Sequence, residues 1–300
     1  MRDNKQGDSS ATRLQRTIEN RERAAREARE RRQQAIIGVI VVIIVAAMLA
    51  AVGITAYQAA YVQPQKKIEQ SAKSNHNLDN IDPSIRPSGV NSKNGILFSK
   101  DGYGKQAAGA PTVATYFDPL CPGCGSFNRT VDETLIKMVE AGQINLELHP
   151  MSFLDGLSTD HYSTRVSSAI AYIASYDNNP KHLLQFINGI FNEKFQPEES
   201  EGYKPVSNKE LIKLAKKSGI PNEIASKAFN RQYLKWQLLV NKYTPDRKEL
   251  WNVSGPNKGS MTTPTVTIND KLLDMNAINE KKMKVLDAPV SYTHLRAHET

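Results

Sequence analysis

The stretch F-D-P-L-C-P-G-C, residues 117–124, contains the only two cysteines of the 300-residue chain, Cys121 and Cys124. Residues 111–117 (P-T-V-A-T-Y-F) are β-branched and aromatic, which is typical of a buried strand. After the cysteines, apolar residues recur at helical spacing over residues 127–139, until a glycine ends the pattern. The cysteines are therefore predicted at a strand-to-helix turn, with Cys121 at the helix N-terminus.

This placement has a chemical consequence for the two thiols. Pro122 falls near the first helical position, where its missing N–H costs nothing. The positive end of the helix dipole and the free N–H groups favour a thiolate at Cys121, which lowers its pKa and makes it the nucleophile. Cys124 lies one helical turn further, close enough to attack a mixed disulfide and release the partner. The pattern indicates a thiol–disulfide exchange site.

A C-x-x-C pair can also be half of a zinc site, or an ordinary structural disulfide. Structural zinc takes four ligands, usually with a second ligand pair, and the chain has no second C-x-x-C. His294 and His298 have ligand spacing, but they lie in a C-terminal stretch that we exclude below. A disulfide closing so short a loop removes little entropy from the unfolded chain, so it would stabilise weakly. Both alternatives stay open, and no metal or cofactor is predicted.

Residues 117–124, followed by an amphipathic helix, resemble the active site of the thioredoxin superfamily, and in particular that of membrane-anchored, DsbA-like oxidoreductases of bacteria. The resemblance covers roughly residues 95–288. It implies an α/β, thioredoxin-like fold with an inserted helical domain. It also implies that Cys121 is the nucleophile and Cys124 the resolving cysteine of a redox-active disulfide, Cys121–Cys124.

A second motif of the family is a cis-proline loop that faces the cysteines, and M-T-T-P-T-V-T-I at residues 261–268 matches it. The resemblance makes Pro264 the candidate cis-proline and Thr263 the residue that pairs with a substrate peptide. The position six before the first cysteine, often acidic in the family, is Thr115 here. Asp118 is the nearest substitute for that carboxylate.

Two further residues, Pro122 and Gly123, are predicted active-site neighbours, as is Asp118. Because neither Pro122 nor Gly123 is acidic, no negative charge lies between the cysteines to oppose the thiolate. These two positions favour a site that oxidises its substrates.

An uncharged apolar run at residues 35–62 is long enough to cross a bilayer, for which about 20 apolar residues suffice. A cleaved signal peptide would have a shorter apolar region. Ten Lys and Arg against six Asp and Glu in residues 1–34 place the N-terminus in the cytoplasm. We therefore expect a single-pass protein of the cell membrane, anchored in the lipid bilayer, with its catalytic domain outside the cytoplasm.

The polar, proline-punctuated residues 63–94 predict a flexible linker. Residues 95–289 are enough for one domain, and helical periodicity over about residues 158–250 predicts the inserted helices. A capping-box pattern at residues 207–210, a hairpin turn at residues 269–270 and a last helix at residues 277–288 are also expected. Residues 290–300 read as a translated adaptor, which makes them a non-native tail.

We expect an enzyme that introduces disulfides into exported proteins with free thiols. A separate membrane oxidant must reoxidise the Cys121–Cys124 pair, since the chain has no third cysteine. A disulfide reductase or isomerase of the same fold is the alternative, as is a non-catalytic membrane-anchored binding module. The net charge of +8 does not identify a binding partner. No binding of nucleic acid is expected, because acidic residues interleave with the basic ones near the N-terminus.

Overall fold

The structure is a computed structural model that describes residue 78 and residues 81–276. The start of the predicted linker and four other predicted segments lie outside the described residues: the cytoplasmic segment (1–34), the membrane span (35–62), the last helix (277–288) and the tail (290–300). None of the described helices combines the length and the apolar character that crossing a membrane requires.

A mixed sheet forms the centre of the described part of the chain. Its strands are β1 (Ile96–Ser99), β2 (Gly102–Tyr103), β3 (Thr112–Phe117), β4 (Asn145–Pro150), β5 (Thr265–Ile268) and β6 (Lys271–Leu272). Their order in space is β2-β1-β4-β3-β5-β6, and β3 runs parallel to β4 while the other neighbours are antiparallel. Helix α1 (Pro122–Glu140) makes the crossover between the two parallel strands. The predicted mixed α/β class is confirmed.

Helix α1 begins and ends where the sequence predicts. Cys121 is its N-cap residue and a proline opens the first turn. Gly142 follows the helix with φ +69°, a left-handed conformation that glycine adopts without strain, and the N–H of Gln143 bonds back to the carbonyl of Met138 at 2.8 Å. The apolar side packed on the sheet includes Val131, Leu135 and Val139.

Further helices pack against the sheet and against each other: α2 (Tyr162–Tyr176), α3 (Pro180–Ile190), α4 (Asn208–Lys217), α5 (Asn222–Lys227) and α6 (Leu234–Tyr243). All five lie within the range predicted for the inserted helices. Helix α4 starts with the predicted capping box, in which the Ser207 hydroxyl and the Glu210 carboxylate each accept a bond from the other residue's N–H. Large buried side chains, including Trp236, Phe186 and Phe191, fill the core between these helices.

The β5–β6 hairpin places the predicted cis-proline loop beside the start of α1. Asn269 and Asp270 form its turn with φ of 47° and 65°, as the sequence predicts for two residues that tolerate positive φ. Strand β5 pairs with β3 in a register that sets Thr265 opposite Tyr116. Residues that immediately precede β5 therefore lie near the end of β3, where the cysteines begin.

The last part of the predicted linker packs on the domain, and here the structure differs from the prediction of a flexible stretch. Leu78, Ile81 and Asn94 are all buried. Asn94 donates to the carbonyl of Leu78 at 3.3 Å and accepts a bond from the indole N–H of Trp236 at 3.1 Å. The polar composition of the stretch did not indicate this packing, because only two apolar residues and one buried amide hold the stretch against the domain.

Candidate active site

Cys121 lies where the chain leaves β3 and enters α1. Its N–H bonds to the carbonyl of Asp118 at 3.0 Å, which closes a tight turn, and its own backbone is extended with φ −67° and ψ 119°. This geometry directs Sγ back over the helix N-terminus, where it accepts a bond from the N–H of Cys124 at 3.4 Å. The Cys121 thiol also lies 3.4 Å from the carbonyl oxygen of Thr263. Both cysteines are free thiols in this structure.

The two thiols have opposite acid strengths. Hydrogen bonds from the Cys124 thiol and N–H lower the pKa of Cys121 to about 7, and they outweigh the effect of burial. Burial raises the pKa of Cys124 well above its ordinary value, and the neighbouring Cys121 sulfur raises it further. Near neutral pH the arrangement therefore provides one sulfur that ionises and one that keeps its proton.

The structure brings the two sequence motifs together. The Thr263–Pro264 peptide bond is cis, as the resemblance implies, and it faces the dithiol. A Cβ built on Gly123 would lie 3.4 Å from Pro264 Cδ and 3.7 Å from Cys121 Sγ, so the glycine leaves the approach to the sulfur open. Pro122 opens α1 between the cysteines and is exposed.

Asp118 is close to the cysteines, but its carboxylate is directed elsewhere. The carboxylate accepts bonds from the N–H of Leu120 and Leu154, both at 2.8 Å, and from the hydroxyl of Ser163 at 2.5 Å. Burial raises the pKa of Asp118 to about 6 against these bonds. Its backbone N–H, not its carboxylate, contacts Cys124 Sγ, at 3.4 Å. Asp118 therefore ties the turn to the loop after β4.

A second carboxyl group, which the sequence analysis missed, lies beneath the helix. Asp132 lines a cavity of about 30 Å³ together with Cys124, Asn128 and Thr115. This volume is enough for a water molecule. Asp132 Oδ2 is shielded from solvent and has no hydrogen-bond partner among the described residues. Burial raises the pKa of Asp132 to about 8. The signal for it was the i, i+4, i+8 spacing of Cys124, Asn128 and Asp132.

His149 lies at the end of β4, but its side chain is not part of the site. Along β4, Glu147 and His149 alternate with Leu146 and Leu148, which line the cavity, so they point to the opposite side of the sheet. There His149 stacks on Tyr116 and bonds to Glu147. Within residues 81–276, no cluster of three His, Cys, Asp or Glu side chains is arranged to hold a metal ion.

Comparison with curated proteins gives a partial relative. The serine/threonine-protein kinase PknE of Mycobacterium tuberculosis (strain H37Rv) is 37% identical over 93 residues. The match covers 30% of this chain and 16% of the kinase, so the chain spans about a sixth of that relative's length.

Solved structures with a similar fold include DsbA from Mycobacterium tuberculosis in its reduced form, at 23% identity and a TM-score of 0.49, covering 60% of this chain and 84% of that one. MdbA from Corynebacterium diphtheriae, a thiol-disulfide oxidoreductase, is 20% identical with a TM-score of 0.49 over 66% of this chain and 93% of its own. These likenesses concern the fold alone. A family model described as thioredoxin matches residues 102–288, more than half of the chain and the whole of the site described above. The chain belongs to the thioredoxin family.

Proposed function

We propose that this chain is a thiol–disulfide oxidoreductase that introduces disulfides into exported proteins through Cys121 and Cys124. The observation that supports it is the position of Cys121 Sγ, which lies against the N–H of Cys124 at the start of α1 and beside the carbonyl of Thr263. The bond from the Cys124 N–H favours the thiolate that disulfide exchange requires, while the carbonyl of Thr263 places the cis-proline loop beside the sulfur.

In the first step a substrate thiolate attacks Cys121 Sγ of the oxidised pair. The Cys121–Cys124 bond breaks, a mixed disulfide forms on Cys121, and Cys124 leaves with the electron pair. Because the pKa of Cys124 is well above its ordinary value, this sulfur takes up a proton at neutral pH. Protonation makes the reverse attack by Cys124 slow and gives the substrate time to react further.

In the second step another thiolate of the substrate attacks its own sulfur in the mixed disulfide. Cys121 leaves as a thiolate, which the N–H of Cys124 stabilises. The substrate has then lost two electrons and gained a disulfide, while the Cys121–Cys124 pair is reduced. A separate oxidant must take these two electrons before the next cycle, and we place it in the same membrane.

The location is part of the proposal. The apolar, uncharged residues 35–62 support a single membrane anchor, and the basic residues before them support a cytoplasmic N-terminus. The catalytic domain then lies outside the cytoplasm, in a compartment where protein disulfides persist. Labelling single introduced cysteines at positions 10 and 84 in intact cells, in a chain whose own two cysteines are replaced, tests this, since Ser84 is exposed. Labelling of position 10 but not of position 84 by an impermeant reagent would contradict the proposed topology.

A reductase is the second candidate, and the acidity of Cys121 favours it. Its pKa of about 7 resembles the value of about 7 known for thioredoxin, and differs from the value of about 3.5 of the strongest oxidant of this class. A redox titration of the pair against glutathione separates the two directions. A potential near about −270 mV supports the reductase, and one near about −120 mV supports the oxidase.

The activity itself is tested with the full-length chain and a reduced, unfolded substrate protein. We expect Cys121→Ala to lower disulfide transfer to the uncatalysed rate, because the attacked sulfur is gone. Cys124→Ala keeps that sulfur and should accumulate a covalent Cys121–substrate adduct, which a non-reducing gel detects. A wild-type chain that transfers no disulfides above the uncatalysed rate would instead support a non-catalytic, membrane-anchored binding module.

A further inference from the structure

A glutamine from the helical insertion contacts the backbone that carries the nucleophile. Gln196 lies in the segment between α3 and α4, and 75 residues separate it from Cys121. Its Nε2 donates to the carbonyl of Cys121 at 3.0 Å and to the carbonyl of Pro119 at 3.3 Å. Both carbonyls belong to the turn between β3 and α1. One side chain therefore holds this turn at two points.

Arg129, on the second turn of α1 after Cys121, fixes the orientation of the Gln196 amide. Its Nη1 lies 3.3 Å from Gln196 Oε1 and donates to the carbonyl of Phe191 at 2.7 Å. A guanidinium only donates and a backbone carbonyl only accepts. The contacts of Gln196 thus agree on one orientation, with its NH₂ group towards Cys121 and its oxygen towards Arg129.

Gly125 is the position on α1 that makes room for this contact. A Cβ at Gly125 would lie 2.0 Å from Gln196 Oε1 and 2.8 Å from Arg129 Nη1. Such a distance cannot be accommodated unless Gln196 moves away. Glycine destabilises a helix relative to alanine, but at this position it leaves the space that the Gln196 side chain occupies.

We propose that Gln196, held by Arg129, is a positioning residue that keeps the Cys121 sulfur at the N–H of Cys124; this rests on the exchange function proposed above. The carbonyl of Cys121 receives two donors, the N–H of Gly125 at 3.1 Å along the helix and Gln196 from the side. Together they fix the peptide plane that follows the nucleophile. That plane sets the N-cap geometry in which Sγ meets the first free N–H groups of the helix.

The test compares the full-length chain with its Gln196→Ala variant, using thiolate absorbance to follow Cys121 and a small disulfide to measure its attack. With the turn less constrained, the thiolate loses part of its stabilisation, and we expect the pKa of Cys121 to rise by about 0.5–1 unit. Attack at pH 6 should then slow about three- to tenfold, since the thiolate fraction falls in proportion. At pH 9 the two rates should converge.

A second variant keeps the test independent of any folding defect in the first. Gly125→Ala leaves Gln196 in the chain but displaces it, so it should raise the pKa of Cys121 by a similar amount while favouring the helix. The double variant should show the shift of one single variant and not the sum of two, because both remove the same contact. Gln185→Ala, at an exposed glutamine on α3, is the matched control and should change neither quantity.

The outcomes separate this role from the function on which it rests. A low Cys121 pKa in the wild type that stays unchanged in Gln196→Ala and Gly125→Ala overturns the positioning role and leaves the exchange function standing. Lower thermal stability in Gln196→Ala, with an unchanged pKa of Cys121, would show that Gln196 only stabilises the fold, and this too would overturn the positioning role. A wild-type Cys121 that titrates like a free cysteine overturns both proposals.

Discussion

Two carboxyl groups that are shielded from solvent in whole or in part, those of Glu147 and Asp132, lie on opposite faces of the same sheet, and they differ in their pKa. Glu147, on β4, accepts a bond from His149 Nε2 at 2.6 Å, and burial of the pair is nearly complete. Asp132, on α1, borders the cavity beneath Cys124 with one oxygen unpartnered among the described residues. Although burial acts on both, the pKa of Glu147 is lowered by His149 and that of Asp132 is raised to about 8.

The difference shows that burial alone does not decide the charge of a carboxyl group. Burial raises the pKa of Glu147 too, but the hydrogen bond and the neighbouring charges outweigh it. Burial also lowers the pKa of His149, so the imidazole is neutral at pH 7 and donates from Nε2. On the face of the sheet opposite the dithiol, the carboxylate of Glu147 is therefore a charged part of the core. Beneath the dithiol, a carboxyl group holds its proton up to a pH at which thiols also react.

The largest expected effect is on the partnered side. Glu147→Ala leaves the His149 N–H without an acceptor in the core, and we expect it to lower the free energy of unfolding at pH 7 by about 2–4 kcal/mol. Because the folded pKa of Glu147 is lowered, its contribution is present above the unfolded pKa and is lost as the pH falls through the folded one. Urea unfolding at pH 7 and at pH 3 measures both.

Glu133→Ala is the matched control for this experiment. Glu133 is exposed on α1 and pairs with Lys137 at i,i+4 spacing. Its loss should leave the free energy of unfolding almost unchanged, because water and salt screen an exposed ion pair. A Glu147→Ala variant as stable as this control would mean that the His149 bond contributes nothing to the fold.

The next largest expected effect is a gain in stability, on removal of the Asp132 carboxyl group. The folded pKa of Asp132 is raised, so the group opposes folding once the unfolded chain ionises near pH 4, and the penalty grows until the folded group also ionises near pH 8. Asp132→Asn removes it, and we expect this variant to be more stable than the wild type by about 1–3 kcal/mol at pH 8 and equal to it at pH 4. Unfolding midpoints at pH 4, 6 and 8 test the trend; a stabilisation that does not depend on pH would contradict it.

The smallest effect links Asp132 to the dithiol. Cys124 and Asp132 are two turns apart on α1, about 12 Å along the helix axis. Because like charges repel, an ionised Asp132 should disfavour a thiolate at Cys124 by about 0.5–1.4 kcal/mol. Above pH 8 the wild type should therefore resolve a mixed disulfide about two- to tenfold more slowly than Asp132→Asn. Single-turnover release of a substrate from Cys121, measured at pH 6 and pH 9, should differ only at the higher value. Equal rates at pH 9 would show that the cavity screens the charge.

Local signals were sufficient for the parts of the fold that depend on neighbouring residues. The strand before the cysteines, the helix start at Cys121, its end before Gly142 and the Ser207 capping box each rest on residues within a few positions of one another. The cis-proline loop was found by resemblance, and the structure brings it to the cysteines.

The rest depends on pairs far apart in the chain. Nothing near Gln196 in sequence indicates that it contacts Cys121, and a polar residue in a loop ordinarily faces water. Nothing in the polar residues of β4 indicated that both of its faces are covered, with Glu147 and His149 in the core. Asp132 had a readable spacing, but a carboxylate on a helix is usually exposed.

The buried bond between Trp236 and Asn94 bears on how this domain can be excised for biochemistry. A truncation that starts at Gly95, just before the first strand of the sheet, would remove Ile81 and Asn94. The indole N–H of Trp236, the largest fully buried side chain among the described residues, would then lose its acceptor. Such a fragment would expose an indole and the apolar surface around it, and aggregation would follow. A start site upstream of Leu78 keeps that cover in place.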